Sequence, residues 1–174
     1  QVGVQMLRGA IDGTRAGYAL SDIADCAVAA LLPAVEADFE RSHGRVPGAE
    51  LSIVALGKMG GREMTTTSDL DLLFIYDGPS DGTSSDGPRP LAISHYVARL
   101  SQRFVNAVTA LTEEGSLYEV DMRLRPSGQS GPLASRFESF VKYHSESAWT
   151  WEHMALTRAR VGSRPLQQSV PGEH

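Results

Sequence analysis

The chain has 174 residues, of which 41% are hydrophobic, and this is enough for one hydrophobic core, so we predict a single main domain. Its net charge of −5 at pH 7 offers no basic surface to nucleic acid. The N-terminus lacks a signal-peptide pattern, and no apolar run approaches the roughly 20 residues that span a bilayer, so no membrane partner is predicted. The single cysteine, Cys26, is predicted to be buried and is typical of a cytoplasmic protein.

The N-terminal third is predicted to be mainly helical. Residues 1–20 contain four glycines and have weak periodicity, which indicates a lead-in segment from a preceding domain. From Ser21, a capping residue, to Gly44 the pattern predicts a helix that is either kinked at Pro33 or divided there into two shorter helices. The predicted buried face consists of Ile23, Ala27, Ala30, Leu31, Ala34, Val35 and Phe39.

A strand, a glycine turn and a second strand follow, in the order L-S-I-V-A-L-G-K-M-G-G-R-E-M-T-T-T-S-D-L-D-L-L-F-I-Y-D over 51–77. Because side chains alternate along a strand, Asp69 and Asp71 are predicted to lie side by side, with Leu70 turned into the core. Two adjacent carboxylates repel each other unless a cation lies between them, and hard oxygen ligands suit Mg²⁺. The glycines allow backbone amides to approach phosphate oxygens closely. The stretch therefore predicts nucleotide chemistry.

The second half begins with a Gly/Ser/Pro-rich segment at 77–90, which is predicted to be a mobile surface loop. A helix is predicted from Pro90 to Gly115, and a third strand from Leu117 to Leu124. One face of this strand is apolar and the other carries Glu119, Asp121, Arg123 and Arg125. This charged face is either a solvated sheet surface or, beside the D-x-D strand, a third metal ligand with two phosphate-binding arginines.

Two helices are predicted after a polar loop at 126–132. A capping box at Ser135–Glu138 opens the first, and the second runs from about Ser147 to Val161. Trp149 and Trp151 are two residues apart, so one is predicted to be packed in the core and the other in a cleft or interface. Residues 165–174 are predicted to form a flexible tail.

The glycine turn followed by D-L-D resembles the signature of the nucleotidyltransferase superfamily with the polymerase-β-type fold, with Gly57-Lys58 where that family usually has Gly-Ser. More narrowly, three segments resemble the glutamine synthetase adenylyltransferase family. They are A-L-G-K-M-G-G-R-E-M-T-T-T-S-D-L-D-L-L-F at 55–74, L-Y-E-V-D-M-R-L-R-P-S-G-Q-S-G-P-L at 117–133 and A-W-T-W-E-H-M-A-L-T-R-A-R at 148–160. The resemblance implies an α+β fold with a small mixed β-sheet flanked by helices, and a catalytic domain over 21–164.

The resemblance also implies a set of functional residues. The metal and catalytic ligands would be Asp69, Asp71 and Asp121. The nucleotide and phosphate contacts would come from Gly57, Lys58, Gly61, Ser68, Arg123 and Arg125. Asp121 would either share a second metal ion or act as general base, and the sequence leaves both roles open.

The reaction implied is Mg²⁺-dependent transfer of AMP from ATP to a tyrosine of glutamine synthetase, which regulates nitrogen assimilation. The family carries an attaching and a removing domain in one polypeptide, and the segment Ala148–His153 is more similar to the attaching, C-terminal half. The PII signalling protein would act on the full-length enzyme. The alternatives are the removing half, a small-molecule nucleotidyltransferase, and a catalytically silent regulatory module.

Overall fold

The computed structural model describes residues 1–113 and 115–161. Its helices are α1 (Val2–Leu7), α2 (Gly13–His43), α3 (Gly57–Gly60), α4 (Ile93–Thr109), α5 (Phe137–Glu146) and α6 (Thr150–Leu156), with a 3₁₀ turn at Gly128–Ser130. Its strands are β1 (Glu50–Ala55), β2 (Leu70–Asp77), β3 (Leu111–Thr112), β4 (Gly115–Ser116), β5 (Val120–Asp121), β6 (Ala134–Arg136) and β7 (Arg160–Val161).

The main sheet is small and mixed. Strand β2 pairs antiparallel with β1, and β1 pairs antiparallel with β7. On its other edge β2 pairs in parallel with β5 at its beginning and with β6 at its end. This confirms the predicted α+β class with a small mixed sheet and flanking helices. The sheet places the start of β2, with its aspartates, directly beside β5.

Helices α2 and α4 pack against each other and form the core with the sheet. Phe104 of α4 is fully buried and meets Phe74 of β2 edge to face, with ring centroids 5.9 Å apart. Phe39 of α2 meets Tyr96 of α4 in the same way at 5.0 Å. These aromatic pairs join α2 to α4 and α4 to β2 in the core.

Helix α2 differs from the prediction at its start and on its buried face. It begins at Gly13, where Asp12 accepts a hydrogen bond from the Arg15 amide, so the predicted start at Ser21 is wrong. The helix continues past Pro33. Ile23 is 48% exposed, whereas Phe39 is buried as predicted. The rest of the buried face consists of Ala16, Gly17, Ser21, Ala24, Val28, Leu32 and Glu36. This part was missed because a serine and a glutamate belong to it.

Helix α2 is also long and apolar enough, by length and composition, to cross a membrane. The prediction that no apolar segment approaches that length is therefore wrong, because the run is rich in alanine and leucine. The criterion is weak evidence for a membrane span, since core helices of soluble proteins also satisfy it. Here one face of α2 packs against α4.

The segment 77–92 is packed against the C-terminal end of α2, in contrast to the predicted mobile loop. Asp86 Oδ1 accepts a hydrogen bond of 2.7 Å from the Arg45 amide, and the Gly87 amide donates to the His43 carbonyl at 3.0 Å. Ser85 is buried. The Gly87 bond satisfies a carbonyl at the end of the helix that would otherwise need water.

Several predictions for the second half are wrong in detail. The third strand is only Val120–Asp121, and the predicted capping box is absent because Ser135 belongs to β6. The last predicted helix ends at Leu156 and is followed by β7. Trp149 and Trp151 are both exposed, so the prediction that one of them is packed in the core is wrong, and α6 buries only Glu152. Cys26, predicted to be buried, is exposed as well. The predicted tail at 165–174 lies outside the described residues.

Candidate active site

The glycine turn lies directly against Asp71. After β1, Gly57 begins α3 with φ +51°, a conformation that side-chain-bearing residues rarely adopt. The Leu56 amide donates to the Asp71 carbonyl at 2.8 Å. A Cβ added to Gly57 would lie 2.1 Å from Asp71 Oδ2, so only glycine leaves room for the carboxylate here.

The three predicted aspartates come together at the start of β2. Asp71 is directly opposite Asp121 in the parallel pairing of β2 and β5, which places both side chains on one face of the sheet. Asp69 precedes β2 and is exposed, and Leu70 between the two is fully buried, as predicted. Burial raises the pKa of Asp71, and the charges of Asp69 and Asp121 raise it further. Asp71 is therefore repelled by the negative charges of both other carboxylates.

Asp121 is bound to Arg123. The guanidinium Nε lies 3.0 Å from Oδ1 and 2.8 Å from Oδ2, and Nη2 lies 2.5 Å from Oδ2. The Arg123 main-chain amide donates to Oδ1 at 2.8 Å. These hydrogen bonds from Arg123 lower the pKa of Asp121, in contrast to that of Asp71. Arg123, predicted to bind phosphate, therefore contacts a carboxylate in this structure.

The other predicted phosphate ligands also have partners. Arg125 donates to the carbonyls of Met122, Gln129 and Gly131 and thereby holds the loop that follows β5. The Ser68 hydroxyl is buried and lies 2.9 Å from both the amide and the hydroxyl of Thr65, so it closes the 65–68 turn. Lys58 is exposed, and its charge acts on Asp71. Gly61 lies against the Arg158 side chain and the Gly57 carbonyl.

An open pocket of about 630 Å³ lies over β5 and includes four of the predicted residues, namely Asp69, Asp121, Arg123 and Arg125. Its volume is within the range of pockets that hold small ligands. Glu119 and Gln129 also line it, and sequence reasoning did not assign them to the site. Gln129 follows R-L-R-P-S-G in the second resembling segment, which is the only signal that could have identified it.

Two further arginines support the glycine turn. Arg160 donates to the Met59 carbonyl at 2.9 Å and to Asp25 at 2.7 Å. Arg158 pairs with Glu63 at 2.8 Å, and its carbonyl lies where a Cβ on Gly60 would be. Neither arginine was predicted as a site residue, although T-R-A-R ends the third resembling segment. Both contact the glycine turn through its main chain.

A ready-made metal cluster is absent from the described residues, since no three His, Cys, Asp or Glu side chains are arranged to hold an ion as they stand. The carboxylates nevertheless supply the hard oxygen atoms that Mg²⁺ prefers. The pKa of Asp71, raised by burial and by two like charges, indicates a site where a cation would relieve repulsion.

Comparisons with known proteins agree with the sequence resemblance. The family model described as "GlnE: Glutamate-ammonia ligase adenylyltransferase" matches residues 1–170. A protein of Brucella suis biovar 1 (strain 1330), named bifunctional glutamine synthetase adenylyltransferase/adenylyl-removing enzyme, is 55% identical over 159 residues, which are 91% of this chain. A protein of the same name from Mesorhizobium japonicum (strain LMG 29417 / CECT 9101 / MAFF 303099) is 52% identical over 160 residues, or 92% of the chain. The chain spans 16% of the length of each relative. It therefore belongs to the glutamate-ammonia ligase adenylyltransferase family, a family of nucleotidyltransferase enzymes.

Proposed function

We propose that this chain is a catalytic domain of the nucleotidyltransferase fold that transfers AMP from ATP to a tyrosine hydroxyl of glutamine synthetase, with Mg²⁺ as cofactor. The observation that carries this proposal is the pairing of Asp71 with Asp121 across two parallel strands, with Gly57 against Asp71. The family and the names of the relatives support the substrates.

Asp69 and Asp71 would hold the cation. Their carboxylates lie at the start of β2. Within the described residues, neither side chain accepts a hydrogen bond, so their oxygens are available as ligands. When bound, Mg²⁺ would supply neutralisation of the charge that grows on pyrophosphate as it leaves. Asp121 would complete the metal site or accept the proton of the attacking hydroxyl, and both roles stay open.

The rest of the chain would position the nucleotide. Gly57 lets the backbone lie close to Asp71, and Lys58 and Gly61 would contact the β- and γ-phosphates. Ser68 orders the turn before Asp69, and Arg125 orders the loop that carries Gln129. In the transfer, the tyrosine oxygen forms a bond to the α-phosphorus, the bond to pyrophosphate breaks, and the tyrosine proton leaves to a base. The protein forms no covalent bond, so positioning and electrostatics supply the rate.

The relatives' name contains a second activity, adenylyl removal, and this chain covers 16% of their length, so the removing reaction is the second candidate. The same aspartates would then serve attack by orthophosphate on adenylyl-tyrosine, with ADP as product. Two incubations distinguish these reactions. Label from α-labelled ATP on unmodified synthetase supports attachment, whereas ADP formed from adenylylated synthetase and phosphate supports removal. If neither product forms, the proposed function is wrong for this chain.

The partners and location are proposed with the function. Glutamine synthetase would be the protein substrate, and the PII protein would act on the full-length enzyme. A cytoplasmic location accords with both. The net charge of −5 supports the absence of a nucleic-acid partner, and no membrane partner is proposed.

A further inference from the structure

We propose that Arg123 is a displaceable counterion that occupies Asp121 until a divalent cation takes its place. This inference rests on the metal site of the proposed function, and it adds a competition between a side chain of the protein and its cofactor.

The contacts of Arg123 leave Asp121 with little capacity for another ligand. Guanidinium nitrogens lie 2.5–3.0 Å from both carboxylate oxygens, and the main-chain amide of the same residue lies 2.8 Å from Oδ1. The Asp121 side chain is only 13% exposed. A cation can therefore reach these oxygens only if the guanidinium moves away.

Arg123 is placed so that it can move. Its side chain is 73% exposed, and among residues 1–113 and 115–161 its ion pair is with Asp121. Arg125, two residues further on, is instead held by three main-chain carbonyls of its own loop. Rotation of the Arg123 side chain would break its hydrogen bonds with Asp121 and weaken its attraction to Asp69 and Asp71.

The neighbouring carboxylates are in a different state. In the described part of the chain no donor is hydrogen-bonded to the side chain of Asp69 or Asp71, although Asp71 faces Asp121 in the strand pairing. A divalent cation would thus meet two open carboxylates and one that is occupied. Binding at Asp121 exchanges a monovalent guanidinium for a divalent ion and frees Arg123 for an anion in the same pocket.

The test measures Mn²⁺ affinity of the protein without nucleotide, by electron paramagnetic resonance of the free ion. Arg123→Ala removes the competitor, so we expect its affinity for Mn²⁺ to be roughly three- to tenfold higher than that of the wild type. Arg123→Lys keeps the charge but cannot cover both oxygens with a planar fork, and its gain should be smaller. A second readout is the rise in Tm on addition of Mn²⁺, which should be larger in Arg123→Ala.

Lys58→Ala is the matched control, because it removes a positive charge that acts on Asp71 without freeing a carboxylate oxygen. The charge of Arg123 also acts on Asp69 and Asp71, so the competition is supported by a larger gain in Arg123→Ala than in Lys58→Ala together with a measurable gain in Arg123→Lys, which keeps that charge. Equal gains, or no gain in Arg123→Ala, overturn it. Asp71→Asn separates the two hypotheses, since Mn²⁺ binding that does not weaken in this variant, or that is absent from the wild type, overturns the proposed metal site as well.

Discussion

Glu36 is a carboxyl group in the interface between α2 and α4, and only 6% of the residue is exposed. It lines a small cavity together with Glu40, Arg45 and Tyr96. Burial raises the pKa of Glu36 to about 7, the charge of Glu40 acts in the same direction, and that of Arg45 opposes it. The side chain is therefore protonated in the folded protein under mildly acidic conditions, at a position where an apolar residue would be expected.

This carboxyl group makes stability depend on pH. In the unfolded chain it ionises near its ordinary pKa of 4.5, whereas in the folded chain it keeps its proton up to about pH 7. Its contribution to stability is therefore fully present below pH 4.5 and is lost as the pH rises to about 7, by at most about 3 kcal/mol. Glu36→Gln should remove this slope in urea unfolding between pH 5 and pH 8. Glu138→Gln, at an exposed site, should leave the slope as in the wild type, and an unchanged slope in Glu36→Gln would contradict the burial argument.

Glycine is required at position 57 both by the backbone conformation there and by the adjacent Asp71 carboxylate. Gly57→Ala places a methyl group 2.1 Å from Asp71 Oδ2 at a φ of +51°, so the carboxylate has to turn away. We expect a loss of stability of about 1–2 kcal/mol and weaker binding of Mg²⁺ and ATP, measured by calorimetry. Gly82→Ala introduces a methyl group into open space and should change neither quantity. Normal ATP binding by Gly57→Ala would remove the glycine turn from the site.

The alternation of side chains along β2 was enough to predict that Asp69 and Asp71 flank a buried Leu70, and the pairing of β5 with β2 places Asp121 beside them. The hydrogen-bond partners of Arg123, Arg125 and Ser68 could not be predicted. The alternation along a strand predicts which face of the sheet a side chain lies on. Its hydrogen-bond acceptor depends on the path of the loops, which has no periodicity to predict it from.

Among the secondary-structure elements, α5 and α6 depend on one buried carboxylate. Glu152 Oε1 accepts a hydrogen bond of 2.9 Å from the Tyr143 hydroxyl of α5, and Oε2 accepts one of 2.7 Å from the Trp149 amide at the start of α6. Glu152 is the only buried residue of α6. It therefore joins the two helices and caps the second one.

Glu152→Ala should destabilise the protein by about 1–3 kcal/mol, because it leaves two donors without their acceptor. Tyr143→Phe should cost about 1 kcal/mol, because it removes the hydrogen bond to Glu152 and a further one between the hydroxyl and the Ser127 main chain. Urea unfolding of both variants and of the double variant gives the comparison. Once Glu152 has become alanine, Tyr143→Phe should cost clearly less than in the wild type, because only the bond to the Ser127 main chain is left to lose. Full additivity of the two changes would show that the bond does not join the helices.

The boundaries of several elements were not predictable from local pattern. The start of α2 was missed because glycines at its first turns obscure the Asp12 cap, and the length of the third strand was overestimated because the alternation continues through Arg123 and Arg125 beyond the paired residues. A residue can belong to a strand only where a neighbouring strand pairs with it. β5 pairs with β2 at only two positions, and β6 pairs with the later part of β2. The tertiary arrangement decided where each element ended.

In the whole molecule, the sheet brings together segments that are far apart in sequence. The turn at Gly57, the aspartates of β2 and Asp121 of β5 meet at one end of β2, and the returning strand β7 supports the turn through Arg160. The three segments that resemble the adenylyltransferase family are the ones that converge here. The chain spans 16% of the length of these relatives.

The rate of AMP transfer from α-labelled ATP to glutamine synthetase in Asp71→Asn tests the central claim most directly. Asp77→Asn is the matched control, since Asp77 is exposed at the other end of the same strand. We expect Asp71→Asn to lose roughly a hundredfold or more in rate, because a metal ligand is lost, while its Tm in EDTA is equal to or slightly above that of the wild type, because repulsion with Asp69 and Asp121 is relieved. Asp77→Asn should transfer AMP at the normal rate. Near-normal transfer by Asp71→Asn would contradict the account.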